Sequence, residues 1–284
     1  MTDNGTIAAP RVCVFQSYRT TNVPEWMTRC MGTVTSWARE QGHDYRFFDD
    51  EFFDCVPGWY RDACKGHKWP MSDLARLITA RTLLEDGYDR VIWFDADLVI
   101  FRSQSLRIDT EPEFAFCREP WLGRRENPVK ALLRGSGGFG GLFSRDNWRG
   151  YYTVTNVNNA LFCVGRGWML DHYIESALYA GRFLHELPPQ HMGPDMLTAF
   201  QKALRYPLIH NVGSFSDLII RDLAAGRSRI PRAYSLLAGE PLYGANLCGS
   251  ENIGAQHYAG AIENLIATGG DAINRFLDDR QRHL

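Results

Sequence analysis

Apolar and polar positions along the chain change period repeatedly, and each change marks an element. "RVCVFQSY" (11–18) is a short, nearly continuous apolar run, the pattern of a strand buried on both faces. Residues 26–41 then place Trp26, Cys30, Met31, Val34, Trp37 and Ala38 on one helical face, with Gly42 just beyond at a position that tolerates positive φ. "DYRFF" (44–48) predicts a second strand. After an irregular aromatic stretch, Ser72 is placed to N-cap a helix carrying Leu74, Leu77, Ile78 and Leu84 before Gly87. The strand "RVIWFDADLVIF" (90–101) follows directly. Further on, "EFAFC" (113–117) and a stretch near 160–164 predict strands, and 167–180 and 194–205 predict helices, the last with Pro194 at a first helical position. Strands separated by helices of this length imply crossover connections. The chain therefore reads as a single α/β domain over 11–284, with a mostly parallel central sheet flanked by helices, behind a disordered lead-in at 1–10.

Composition narrows the function classes. The chain has 284 residues, 45% of them hydrophobic and 13% aromatic, enough for a substantial core. Its 31 Lys+Arg nearly balance 33 Asp+Glu, for a net charge of −2, which gives no general attraction to nucleic acid or to an anionic membrane. "MTDNGTIAAP" (1–10) lacks the charged and apolar regions of a signal peptide, and no apolar run reaches membrane-spanning length. The seven cysteines are odd in number and scattered, with no C-x-x-C pair. That pattern predicts buried free thiols in a reducing cytoplasm.

The chemistry concentrates where the strand at 90–94 runs into Asp95 and Asp97. Carboxylates are rarely buried unpaired, because desolvating the ionised form is costly. Four apolar residues precede the pair and Leu98-Val99-Ile100 follow it, so it sits on a turn between buried segments rather than in a solvated loop. In parallel sheets, ligands bind outside the carboxyl ends of strands, which is where these side chains lie. Either a protein cation or a metal is expected to meet them. An apolar strand ending in Asp-x-Asp also occurs in haloacid-dehalogenase-like phosphatases. There the nucleophile belongs to the first strand of the domain, and Leu98 stands where glycine is usual.

The longer stretch "SDLARLITARTLLEDGYDRVIWFDADLVI" (72–100) resembles the GT-A nucleotide-sugar glycosyltransferases, whose domain is Rossmann-like, and in particular the glycogenin-like and lipopolysaccharide galactosyltransferase-like retaining group. "VNNALFCVGRG" (157–167) looks like that group's Asn-containing strand, "GPDMLTAF" (193–200) like its Asp-bearing helix start, and "QHYAG" (256–260) like its late His-x-x-Gly. The resemblance implies transfer of a sugar from a nucleotide-diphosphate donor, a UDP-sugar, to a hydroxyl of a small-molecule, glycan or natural-product acceptor, with retention at the anomeric carbon. It also implies a divalent cation, Mn²⁺ or Mg²⁺, bridging the diphosphate, for which hard carboxylates and one imidazole are suitable ligands.

Carried over residue by residue, the resemblance makes Asp97 and His257 metal ligands, with Asp95 reaching the metal or the donor ribose beside Ala96. A lone histidine is otherwise more often a half-buried one bonded to backbone, and Gly260 is what would let backbone approach the phosphates. Arg76 is assigned to donor hydroxyls or phosphate; an ion pair with Asp73 or Glu40 is the alternative. Gln16, Ser17 and Tyr18 fall where the nucleotide base is read, and Tyr18 either stacks on uracil or packs in the core. Asn158 and Asn159 fall where donor-sugar hydroxyls are bound, or serve a turn. Asp195 lines the reaction centre, acts as base in an inverting enzyme, or only stabilises a helix N-terminus. Two places depart from the group: Gly193-Pro194 replace an Asp-Gln pair, and Glu263 replaces a phosphate-binding lysine. The segment 117–141, with Arg118, Arg124, Arg125, Lys130 and Arg134, reads as a mobile acceptor lid or a solvated loop. A catalytically silent sugar-binding module of the same fold is the remaining alternative.

Overall fold

A computed structural model describes residues 9–124, 151–184, 186–187, 191–227, 229–249 and 253–281. Residues 1–8 of the lead-in expected at 1–10, and the basic residues Arg125, Lys130 and Arg134, lie outside these. Six strands form the central sheet in the order β2-β1-β3-β6-β5-β7: β1 (Val12–Ser17), β2 (Asp44–Phe48), β3 (Arg90–Phe94), β5 (Phe114–Arg124), β6 (Tyr151–Gly165) and β7 (Leu208–Ile209). The pairings of β1 with β2, β1 with β3 and β5 with β7 are parallel. The long β6 runs antiparallel to both β3 and β5. A second sheet joins β4 (Leu98–Ile100), β9 (Gly244–Asn246) and β8 (Val212–Ser214) in that order. The α/β class with a mostly parallel central sheet flanked by helices is thus what the chain adopts.

Both faces of the central sheet are covered at β1 and β3, which is why these strands read as unbroken apolar runs. Cys13, Phe15, Val91, Trp93, Phe116 and Phe162 pack with Leu74, Leu77 and Leu83 of α3 (Lys68–Glu85) and with Tyr173 and Ile174 of α4 (Trp168–Phe183). The alternate residues Val12, Val14, Ile92, Phe94 and Leu161 pack on the opposite face with Val34, Trp37 and Ala38 of α1 (Glu25–Glu40). Gly42 at φ 73° and Gly87 at φ 97° end α1 and α3 in the left-handed region, as their positions in the sequence predict.

Three expectations are corrected. Helix α3 starts at Lys68 rather than after Ser72, since Pro70 falls in the first turn, where its missing N–H has no helical partner in any case. Ser72 instead bonds within α3 to Arg76. The helix expected from Pro194 is regular only over α5 (Met196–Leu204), after an irregular turn at His191–Asp195 that breaks at Gly193. Residues 118–124 are not a loop: they continue β5, in register with β6 from Arg118↔Val157 to Arg124↔Tyr151. A bulge between Phe116 and Cys117 shifts the alternation. Past it β5 is an edge strand, so Pro120 is tolerated, and the Pro120 carbonyl accepts the Tyr234 hydroxyl at 2.9 Å.

All seven cysteines are free, but Cys55 is exposed and Cys248 half-buried rather than buried. Among the described residues, no helix is long and apolar enough to cross a membrane.

Candidate active site at the Asp95-Ala96-Asp97 turn

The turn is where the chain leaves one sheet for the other. Asp95 N–H bonds the Ala160 carbonyl at 2.7 Å, extending the β3–β6 pairing by one residue. Leu98 N–H closes the turn on the Asp95 carbonyl at 3.1 Å, and Leu247 N–H bonds the Asp97 carbonyl at 3.1 Å just past β9. Ala96 is buried beside Trp26, Met27 and Cys30. Gln16 is wholly buried, its amide donating to the Asp95 carbonyl at 3.1 Å and its Oε1 accepting from Tyr45 at 3.0 Å. Gln16 therefore braces the turn from behind and is not presented to a ligand. Ser17 and Tyr18 are half-buried at the strand's end; the Tyr18 ring packs against the apolar cluster that contains Trp26 and Tyr258 and lies under Arg19.

The two carboxylates have different partners. Asp95 Oδ1 accepts from the Trp93 indole at 2.8 Å and pairs with Arg76 Nη1 at 3.0 Å, and Asn246 Nδ2 reaches Oδ2 at 3.4 Å. Among the described residues, no protein cation contacts Asp97. Its Oδ2 accepts the backbone N–H of Gly249 at 2.7 Å. Burial first, and repulsion from Asp95 second, push its pKa up to about 6 against the Gly249 hydrogen bond. Among the described residues, Asp95 has thus found a protein cation and Asp97 has not.

Arg76 is buried, 7% exposed, and fully engaged. Besides Asp95 it pairs with Asp73 at 3.3 Å, bonds the Asn159 carbonyl at 2.8 Å and lies 5.0 Å over the Trp93 ring. The ion pair with Asp73 exists, but inside the site rather than on the surface. Successive residues of β6 point to opposite faces: Asn159 Nδ2 donates to Asp73 Oδ1 at 3.0 Å, while Asn158 Nδ2 donates to Glu119 Oε1 at 2.8 Å. Burial pushes Asp73 up to about 6 despite Arg76, and raises Glu119 as well. Two carboxylates, Asp73 and Asp95, therefore share one guanidinium. The sequence pattern did not mark Glu119, Asn246 or Gly249, because each reaches the site only through pairing far along the chain.

Asp195 is exposed at the start of α5, with no side-chain capping bond. His257 lies in the first turn of α8 (Ala255–Thr268), its Nε2 3.4 Å from Arg221 Nη1 on α6 (Asp217–Ala224). Its neighbour Tyr258 stacks on Trp26 at 4.1 Å, and Trp26 also borders Gly249. Among the described residues, no three His, Cys, Asp or Glu side chains gather as a metal cage, so His257 is not brought together with both aspartates. Gly260 is inside α8, and the space a side chain would take there is filled by Ala224, 3.3 Å away. The structure gives this glycine a helix-packing role instead of a phosphate-facing one. Glu263 is further along the same helix.

No protein-family model matches the chain, and no curated protein sequence does. Solved structures that it resembles include a glycosyltransferase involved in the glycosylation of the major capsid of PBCV-1, with a TM-score of 0.45 and 11% identity over 89% of this chain and 99% of that one. Another is mouse xyloside xylosyltransferase 1 in its apo form, with a TM-score of 0.41 and 11% identity over 86% of this chain and 99% of that one. Likenesses this remote carry no conclusion about what this chain binds or transfers.

Proposed function

We propose that the chain is a metal-dependent glycosyltransferase that moves a sugar from a nucleotide-diphosphate donor, a UDP-sugar, to an acceptor hydroxyl with retention of configuration. The observation that carries this reading is the half-buried Asp97, a carboxylate at the carboxyl end of β3 that no cation among the described residues contacts. A hard divalent cation suits that oxygen donor, with Asp95 beside it. Asp97 would hold Mn²⁺ or Mg²⁺ and Asp95 would contribute its second oxygen; the imidazole that the resemblance supplies, His257, lies against Arg221 and is not gathered with them. Such an ion offsets the charge that develops on a leaving diphosphate.

The chain's own residues have separate tasks in this reading. Trp93, Arg76 and Asn246 fix the Asp95 carboxylate in one orientation, so it need not reorganise when the ligand charge changes. Gln16 holds the turn's backbone, and Gly249 N–H orients Asp97. Asn158 and Asn159, held by Glu119 and Asp73 on opposite faces of β6, are where the resemblance puts recognition of sugar hydroxyls. Ser17 and Tyr18, at the end of β1, are where the base is read.

The test is donor turnover without acceptor, using UDP-glucose, UDP-galactose and UDP-xylose. Slow release of UDP that requires Mn²⁺ or Mg²⁺ and stops with EDTA is expected, with the α-anomer of the free sugar formed first by NMR. Equal release in EDTA would remove the metal from the account. A β-anomer formed first from the α-linked donor would make the enzyme inverting and promote Asp195 to general base.

A further inference from the structure

Helix α4 carries aromatic side chains on both of its faces. Met169, Leu170, Tyr173, Ile174, Ala177 and Gly181 are buried against the rest of the chain, as the inner face of a surface helix is. On the opposite side Trp168, Tyr179 and Phe183 are 59%, 66% and 69% exposed. At about 100° per residue, Trp168, His172, Tyr179 and Phe183 fall within a sector of roughly 60°, along about 22 Å of helix. They gather at its two ends. Trp168 lies 5.9 Å from His172, which also meets Phe200 of α5 at 5.7 Å, and Tyr179 lies 4.4 Å from Phe183. Exposed apolar surface on this scale marks a contact face.

The charged residues beside the stripe decide what it meets. Asp171, Glu175 and Arg182 are exposed along one flank of it, within roughly 40° of one another around the helix. Two carboxylates there oppose an anionic membrane surface. They suit a second copy of α4 running antiparallel. A two-fold axis crossing the helix between Glu175 and Ser176 exchanges its ends and sets each flank against the same flank of the other copy. Trp168 then faces Phe183, and His172 faces Tyr179. Asp171 comes within about 3 Å, along the axis, of Arg182 of the other copy, an offset that the long arginine side chain spans. We propose that this face of α4 joins two copies of the chain as an antiparallel helix pair, with Asp171 of each copy against Arg182 of the other. Both side chains are available for it. Asp171 stands 3.6 Å from Arg81 with 58% of its side chain exposed. Arg182 lies 5.3 Å over the Trp59 ring, which engages the flat face of the guanidinium and not its N–H edge. Glu175, beside the axis, is brought against its own counterpart, a repulsion that a different partner or a membrane would not produce.

Sedimentation velocity of the full chain over a range of concentrations tests this. The wild type is expected to dimerise reversibly with a Kd on the order of 10 μM, as suits a small interface. Phe183→Ser removes an apolar contact from both copies at once and is expected to weaken the dimer about tenfold or more. Asp171→Arg sets two like charges together and should weaken it as well, while the charge exchange Asp171→Arg/Arg182→Asp restores most of the loss. Glu175→Gln is expected to tighten the dimer. These positions are exposed, so the melting temperature of dilute protein should change little in any variant. A wild type that stays monomeric at about 100 μM would overturn the proposal. A dimer that Phe183→Ser leaves unchanged forms elsewhere on the molecule and would overturn it too. Failure of the charge exchange to restore affinity, or weakening by Glu175→Gln, would remove the antiparallel arrangement. A monomeric chain that cosediments with phosphatidylcholine/phosphatidylserine vesicles, and loses this with Phe183→Ser, would assign the face to a membrane instead.

Discussion

Asp97→Asn is expected to lower sugar transfer on the order of 10³-fold, the scale for losing a direct electrostatic contact in the transition state, while making the ligand-free protein more stable at pH 7.5. The second half follows from the sign of the pKa shift. Asp97 titrates near 6 in the folded chain and near 4 when unfolded. Between those values the unfolded state loses its proton first, so stability falls as pH rises from about 4 to about 6 and stays reduced above. Relief of that penalty is on the order of 2–3 kcal/mol at most, or roughly 4–8 °C in melting temperature. The amide oxygen of Asn keeps the Gly249 hydrogen bond. Melting curves at pH 4 and pH 7.5 should show the gain only at the higher pH. A variant that is inactive and also less stable at pH 7.5 would mean that Asp97 is structural. Sites selected for binding a cation commonly sacrifice stability in this way.

Arg76→Met is the change with the largest expected cost to the fold. It leaves Asp73 and Asp95 facing each other without their shared cation, removes the bond to the Asn159 carbonyl and vacates the face of Trp93. Breaking a buried charge pair by deleting one partner typically costs 3–5 kcal/mol, because the remaining charge is uncompensated. Urea denaturation at pH 7.5 should show a loss of that size, shrinking toward pH 4 as Asp73, whose pKa burial pushes up to about 6, takes up a proton. Restoring neutrality with Asp73→Asn in the same chain should recover part of it. A loss under about 1 kcal/mol would show that water, not Arg76, balances the aspartates.

The turn that carries Asp95 and Asp97 is legible in the sequence, and the reason is local. The apolar runs on either side of Asp95 and Asp97 fix a turn between buried strands, and the helical face from Trp26 to Ala38 and the glycines at 42 and 87 are set by residues close in sequence. What was not legible is non-local. Nothing near residue 98 says that β4 leaves the central sheet to pair with Gly244–Asn246. The extension of β5 to Arg124 depends on register with Tyr151 and on a bulge at Phe116/Cys117, so Glu119 could not be placed beside Asn158. Asp73 was visible as a neighbour of Arg76 one helical turn away, but not as a neighbour of Gly193, which lies more than a hundred residues further along. His257 was legible as a motif and is placed against Arg221, a contact the motif does not encode.

The most direct measurement is calorimetric titration of UDP into the wild type with Mn²⁺, into the wild type with EDTA, and into Asp97→Asn with Mn²⁺. Without a cation, diphosphate and the carboxylates of the turn repel each other, so binding is predicted in the first titration and in neither of the others. Equal affinity in all three would contradict the assignment of Asp97 as the residue that holds the cation.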